Sequence, residues 1–243
     1  MSTAPSDLQE KLRRLHAYSA CDVSDALLKL QKPAAGEVAR AGFLADIGPV
    51  PSPQILAGEL AASKVIAPAC TLKLVSKHSA PESAPPADNT IPKGSHWVDL
   101  TEAGSVVVID QPEGQKCAAV GGIMAQRMKV RGVAACIVGG RVRDMAELKE
   151  SQLPIFALGK STVGTNAEST AYARNIPVTI TGVTVAPGDI IFCDPLEGVV
   201  VIPRELLDDT LSLMPRLVAA DDKVKEAVEK GMTVAEAFKK FRG

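Results

Sequence analysis

Two apolar segments, with two adjacent glycines and a helical pattern between them, limit the fold of this chain more than any other part of the sequence. Residues 106–110 read Val-Val-Val-Ile-Asp, and residues 134–138 form a second apolar run. Between them, Gly121 and Gly122 precede a segment, 122–131, in which apolar side chains recur at helical spacing. This order predicts a β-α-β unit with parallel strands, because parallel strands need a crossover connection. We therefore expect an α/β protein.

Helices are predicted at both ends of the chain. Ser6 with Gln9, and Thr233 with Glu236, have the spacing of capping boxes at helix starts. Further helices are expected from Asp22 to Leu30, from Met145, and from Pro203 onward. The sequence thus predicts a single domain over residues 1–243, with a helical tail at residues 204–243.

Short apolar runs between turn residues predict further strands. The weaker candidates are residues 43–47 and 65–66, and the stronger ones follow the β-α-β unit. The stronger ones are 153–158, 178–180, 183–185, 189–193 and 198–202. Their close spacing favours antiparallel pairing in the second half of the chain. Residues 79–94 contain four prolines among small and polar residues, which indicates a surface loop, or a lid if it lies near the site.

Composition excludes several classes of protein. The 27 Lys and Arg residues against 28 Asp and Glu residues give a net charge of -1, so a dedicated nucleic-acid binder is not expected. The five cysteines have no metal-binding or disulfide spacing, and Cys136 and Cys193 lie in apolar runs as expected for buried side chains. No signal peptide or membrane-length apolar run is evident, and we expect a cytoplasmic protein with no membrane partner.

The candidate site lies at the ends of the predicted β-α-β strands. Backbone N–H groups at the helix start near Gly121 and Gly122 would favour an anion, and Arg143 could bind a carboxylate through two hydrogen bonds. Asp144 offers a hard oxygen ligand for a divalent ion. Structural roles are the alternative: the glycines let a helix approach a strand, and Arg143 with Asp144 forms an ion pair or a helix cap.

Other sites are less well supported by the sequence. The full G-x-G-x-x-G pattern is missing, which argues against a dinucleotide site. His16, His78 and His96 stand far apart and form no recognisable triad or metal motif. Asp194 and Glu197 flank Pro195 and favour a turn.

Several motifs in the same order resemble the family that includes 4-hydroxy-4-methyl-2-oxoglutarate aldolase and the regulator of ribonuclease E activity A. The similarity runs from about residue 19 to residue 203. Its strongest pieces are residues 121–125, 139–144, 153–157 and 185–190. The resemblance implies a swivelling β/β/α-type α/β fold, assembled as a homotrimer or homohexamer with active sites between subunits.

The resemblance also implies roles for individual residues. Residues matching Gly121, Gly122, Ile123 and Met124 bind substrate, the match to Arg143 binds its carboxylate, and the match to Asp144 anchors Mg²⁺ or Mn²⁺. An acidic side chain from the neighbouring subunit can join the pocket, and Glu226 is the candidate here. Family members with aldolase chemistry usually carry Asp or Glu where this chain has Gly122.

Two functions follow from these implications. The first is a metal-dependent lyase on short 2-oxo dicarboxylic acids, which would cleave 4-hydroxy-4-methyl-2-oxoglutarate or decarboxylate oxaloacetate and release pyruvate. The second is a non-catalytic oligomeric protein that binds and regulates a partner. An intact Arg143-Asp144 pair favours chemistry, and the missing carboxylate at Gly122 favours the regulatory alternative.

Overall fold

The computed structural model describes residues 6–33, 36, 38–50, 64–79, 81 and 83–242. These residues divide into two compact units: a helical unit, residues 1–41 and 205–243, and a sheet unit, residues 42–204. The α/β class and the N- and C-terminal helices are confirmed. The prediction of a single domain stays a prediction.

The helical unit contains α1 (Asp7–Leu15), α2 (Ala20–Leu30), α5 (Leu207–Glu229) and α6 (Val234–Phe241). Both predicted capping boxes are confirmed, at Ser6 before α1 and at Thr233 before α6. The second helix begins two residues earlier than predicted, because Ser19 forms a third capping box with Asp22. None of the described helices is long and apolar enough to cross a membrane.

The sheet unit contains eleven strands within the described residues, and helices α3 (Gly122–Val130) and α4 (Met145–Ser151). The first six strands are β1 (Gly48–Pro49), β2 (Val65–Ser76), β3 (Val106–Asp110), β4 (Ala118–Val120), β5 (Ala135–Val142) and β6 (Ile155–Lys160). The remaining five are β7 (Ser169–Arg174), β8 (Val178–Ile180), β9 (Val183–Val185), β10 (Ile190–Asp194) and β11 (Gly198–Ile202).

The main sheet has the order β1-β6-β5-β3-β2-β10-β11, with β4 added beside β5 and β7 beside β2. The predicted parallel pairing is confirmed: β3 and β5 are parallel neighbours with Val106 opposite Ala135. β5 is also parallel to β4 and β6. The late strands pair antiparallel, as predicted, in β8 with β9 and β10 with β11.

Both faces of the central strands are buried. Val107 and Ile109 of β3 belong to one hydrophobic cluster, which includes Met128 of α3 and Leu148 of α4. Val106 and Val108 of the same strand belong to a second cluster with side chains of β8 to β11. This burial explains the continuous apolar runs of β3 and β5, because a strand covered on both faces needs no polar alternation.

Two strand predictions are corrected by the structure. The candidate at residues 43–47 is wrong, since Phe43 forms only an isolated bridge with Val200. The candidate at residues 65–66 is the beginning of the twelve-residue strand β2. Strands β4 and β7 were not predicted from the sequence.

The cysteines have the structural environment that the sequence predicts. All five are free thiols, and Cys136 and Cys193 are fully buried. Burial raises the pKa of both thiols well above the ordinary range, which disfavours the reactive thiolate. A role for either cysteine as a nucleophile is therefore not supported.

The proline-rich segment at 79–94 is described except for residues 80 and 82. Residues Ala87–Asn89 form a short 3-10 helix, and most of the described residues around it are exposed. The Asn89 side chain donates hydrogen bonds of 3.0 and 2.7 Å to the backbone oxygens of Arg174 and Asn175. These bonds join the segment to the end of β7, and its role as a lid stays a prediction.

Candidate functional site

The carboxyl ends of two adjacent parallel strands position the candidate site. β4 ends at Val120 and leads into Gly121, and β5 ends at Val142 and leads into Arg143. Val120 and Val142 are paired, and the Arg143 backbone N–H donates to the Val120 oxygen at 3.0 Å. Ligands bind at such strand ends in open α/β sheets, because the connecting loops leave a crevice there.

The first turn of α3 offers backbone donors at this edge. Gly121 precedes the helix, and the Ala125 N–H already donates to the Gly121 oxygen at 3.1 Å. Among the described residues, the N–H groups of Ile123 and Met124 have no acceptor. Unpaired N–H groups at a helix start favour an anion.

Asp144 lies in a backbone conformation that few residues adopt. Its φ is 63° and its ψ is 50°, the left-handed region, directly before α4. Aspartate tolerates this region better than most residues. Asp144 occupies the N-cap position of α4, but its side chain makes no cap hydrogen bond. The structural alternative is therefore confirmed for the position of Asp144 at the helix start, but not for capping by its side chain.

The Asp144 carboxylate is directed at the glycine turn instead. Its Oδ2 accepts a hydrogen bond of 3.2 Å from the Gly122 N–H. The Arg143 Nε lies 3.4 Å from the same oxygen, and the two side chains are 43% and 36% exposed. This ion pair confirms one part of the structural alternative. The Asp144 Oδ1 has no hydrogen bond among the described residues.

The Arg143 side chain packs against two glycines, Gly121 and Gly164. A Cβ atom added to Gly121 would lie 3.3 Å from the Arg143 Nε and 2.6 Å from the Asp144 Oδ2. On the other side, a Cβ atom added to Gly164 would lie 3.1 Å from the Arg143 Nη1. Gly164 was not predicted from the sequence, because the turn after β6 carries no motif of its own.

Only some of the predicted site residues have side chains or backbone that meet at this edge of the sheet. The structure brings Gly121, Gly122, Arg143 and Asp144 together. Met124 is partly buried against the hydrophobic core, and Ile123 is 75% exposed. The contribution of these two residues to the site is therefore their backbone N–H groups.

Glu226 lies far along α5, in the helical unit. Its carboxylate forms an ion pair with Lys230 one helical turn later, and this contact lowers its pKa. Its predicted contribution to a neighbouring subunit's site stays a prediction, as does the homotrimer or homohexamer.

Glu147 is a further acidic side chain at the glycine turn that the sequence did not single out. It lies in the first turn of α4. A Cβ atom added to Gly122 would overlap the Glu147 Oε2 and would lie 2.7 Å from its Cδ. The spacing is the signal that could have identified it, because an Asp followed three residues later by a Glu is typical of a helix start.

Sequence comparison places this chain among known relatives. Residues 20–201 match the model of the RraA-like family, described as Aldolase/RraA. Protein DlpA of Legionella pneumophila is 27% identical over 72% of this chain, although the match spans only 27% of DlpA. A Burkholderia multivorans protein named "Putative 4-hydroxy-4-methyl-2-oxoglutarate aldolase" is 32% identical over 60% of this chain and 79% of its own length.

Solved structures share the fold. An uncharacterized protein from Pseudomonas syringae pv. tomato aligns with a TM-score of 0.70 at 22% identity, covering 97% of this chain and 99% of its own. Streptomyces coelicolor RraAS2, described as an unusual member of the RNase ES inhibitor RraA protein family, aligns with a TM-score of 0.66 at 21% identity. That alignment covers 96% of this chain and 100% of RraAS2. At these identities the likeness concerns the fold alone.

Proposed function

The chain belongs to the RraA-like family, and from that premise we propose that it is a divalent-metal-dependent carbon-carbon lyase acting on short 2-oxo dicarboxylic acids. Candidate substrates are 4-hydroxy-4-methyl-2-oxoglutarate and oxaloacetate, each of which would yield pyruvate. One observation carries the proposal: Arg143, Asp144 and the start of α3 meet at one strand edge.

The residues at this edge suit a hydrated divalent ion. Among the described residues, no group of three or more His, Cys, Asp or Glu side chains could hold a metal ion. Mg²⁺, however, is commonly held by one or two carboxylates, with water and substrate completing its shell. Asp144 would bind Mg²⁺ or Mn²⁺ through Oδ1, since Oδ2 is already engaged by the Gly122 N–H.

Arg143 and the α3 turn would bind and polarise the 2-oxo acid. The guanidinium of Arg143 can donate two hydrogen bonds to the C1 carboxylate. The N–H groups of Ile123 and Met124, which have no acceptor in the part of the chain that the structure describes, add donors for a negatively charged oxygen. A bound divalent ion supplies positive charge that favours the enolate. Breakage of the bond between C3 and C4 then leaves a pyruvate enolate beside these donors.

The test measures pyruvate release by the purified protein with Mg²⁺ or Mn²⁺ and oxaloacetate, relative to metal alone. Asp144→Asn should remove this release, because the amide loses the negative charge while tolerating the left-handed backbone of residue 144. Asp99→Asn is the matched control. Asp99 forms an exposed ion pair with Arg127, and such pairs contribute little to stability.

A binding measurement separates the two functions of the family. Oxalate resembles the pyruvate enolate, so oxalate with metal should raise the unfolding temperature of the wild type but not of Asp144→Asn. Turnover that survives in Asp144→Asn would refute the assignment of this site. A wild type with no pyruvate release and no response to oxalate would favour the regulatory alternative.

A further inference from the structure

Glu147 occupies the space that a side chain at residue 122 would need. A Cβ atom at Gly122 would lie 2.5 Å from the Glu147 Cβ and 2.7 Å from its Cδ, and would overlap its Oε2. Gly122 is itself buried, although it lies in the first turn of a helix whose next residue, Ile123, is exposed. The Glu147 side chain therefore packs directly over the start of α3.

The two carboxylates next to Gly122 differ in their hydrogen bonds and ion pairs. Asp144 accepts the Gly122 N–H and lies beside Arg143. The Glu147 side chain makes no hydrogen bond or ion pair with any described residue, and Glu147 is exposed to solvent. An acidic side chain with no partner among the described residues therefore lies next to the donors that would hold the substrate.

We propose that Glu147 is the general base of aldol cleavage at this site; this inference rests on the proposed lyase function. The Glu147 carboxylate takes the proton of the C4 hydroxyl group. The C4–O bond becomes a carbonyl, the C3–C4 bond breaks, and its electron pair passes to C3 and the C2 oxygen as an enolate. The proton on Glu147 then returns to C3, so that one 4-hydroxy-4-methyl-2-oxoglutarate gives two pyruvates.

Decarboxylation of oxaloacetate provides an internal comparison. Loss of CO₂ from C4 leaves the same enolate but involves no hydroxyl proton, so no base is needed to start it. The enolate then takes the proton for C3 from water. Glu147 should therefore be needed for aldol cleavage, but not for breakage of the C3–C4 bond in oxaloacetate. Asp144 and Arg143 should matter for both.

The experiment compares both reactions in the wild type, Glu147→Gln, Glu147→Asp and Glu150→Gln. Glu147→Gln should slow aldol cleavage by about 10²–10⁴-fold, the usual contribution of a general base. Its decarboxylation of oxaloacetate should fall far less than its aldol cleavage, since breakage of the C3–C4 bond in oxaloacetate needs no base. Glu147→Asp should restore part of the cleavage rate. Glu150→Gln, an exposed change on the same helix, should alter neither reaction.

Binding of Mn²⁺ with oxalate, followed by the rise in unfolding temperature, gives a readout besides activity. It should be equal in wild type and Glu147→Gln. Three results in Glu147→Gln would each overturn the assignment of Glu147 while the lyase function stands. They are loss of this binding, an equal fall in both reactions, and unchanged aldol cleavage. A wild type inactive toward both substrates would overturn the lyase function and this inference with it.

Discussion

The Arg143 guanidinium lies against Gly164, in the turn that follows β6. A Cβ atom at Gly164 would lie 3.1 Å from the Arg143 Nη1 and 3.5 Å from its Cζ. The backbone of Gly164 has a φ of -75°, which any residue can adopt. Glycine is therefore needed at this position to leave room for Arg143, and not to allow the backbone conformation of the turn.

Gly164→Ala should accordingly weaken the site without unfolding the protein. The added methyl group displaces the guanidinium by a few tenths of an ångström, and we expect oxalate to bind about tenfold more weakly in the presence of metal. Isothermal titration calorimetry measures this change.

Gly159→Ala is the matched control for Gly164→Ala. A Cβ atom there would lie 3.1 Å from the Nη1 of Arg141, the same distance from a different arginine. Arg141 donates to the Lys160 oxygen and takes no part in the proposed site. Equal loss of oxalate binding in both variants would indicate a general disturbance of the sheet and would contradict the role of Gly164.

Gly122→Ala should destabilise the protein, although alanine normally favours a helix over glycine by about 0.5–1 kcal/mol. The new Cβ would lie 2.5 Å from the Glu147 Cβ, which cannot move away by rotating its side chain. Overpacking of this kind costs about 1–3 kcal/mol of unfolding free energy. Urea unfolding followed by circular dichroism measures the loss.

The comparison for Gly122→Ala is Gly48→Ala in β1, where an added Cβ meets nothing within 4 Å. Its unfolding free energy should stay within about 0.5 kcal/mol of wild type. If Gly122→Ala proved as stable as Gly48→Ala, the close packing of Glu147 over Gly122 would be wrong.

Glu168 should make stability depend on pH. The backbone N–H groups of Cys117 and Lys116 donate to its Oε2 at 2.6 and 2.7 Å and hold the pKa of this carboxyl below its ordinary value of 4.5. A pKa lowered by folding adds stability above pH 4.5, and this contribution is lost as the pH falls through the folded-state pKa.

Glu168→Gln should therefore unfold at lower urea concentration than wild type at pH 7, because the amide is a weaker acceptor than the carboxylate. The difference should shrink steadily in titrations below about pH 4.5, where the wild-type carboxyl becomes protonated. Glu113→Gln, an exposed change in the nearby turn, should show no such trend. A difference that is constant with pH would argue against the charged hydrogen bonds.

The sequence by itself determined the elements with strong local signals. The capping boxes at Ser6 and Thr233 were predictable because the cap and its partner lie three residues apart. The parallel pairing of β3 with β5 followed from two apolar runs joined by a helix. The glycine turn and the Arg143-Asp144 pair were recognisable for the same reason, since each is a short contiguous motif at a strand end.

The tertiary structure alone decided the features that depend on distant residues. β2 continues through Pro68, which cannot donate to a ladder, because β10 pairs with residues 65–68 and β3 pairs with residues 69–73. β7 is polar along much of its length and forms by pairing with β2. At the site, Gly164 and Glu147 approach Arg143 and Gly122 across separate loops and helices. Such contacts leave no periodic or local signal, because the packing of the sheet creates them.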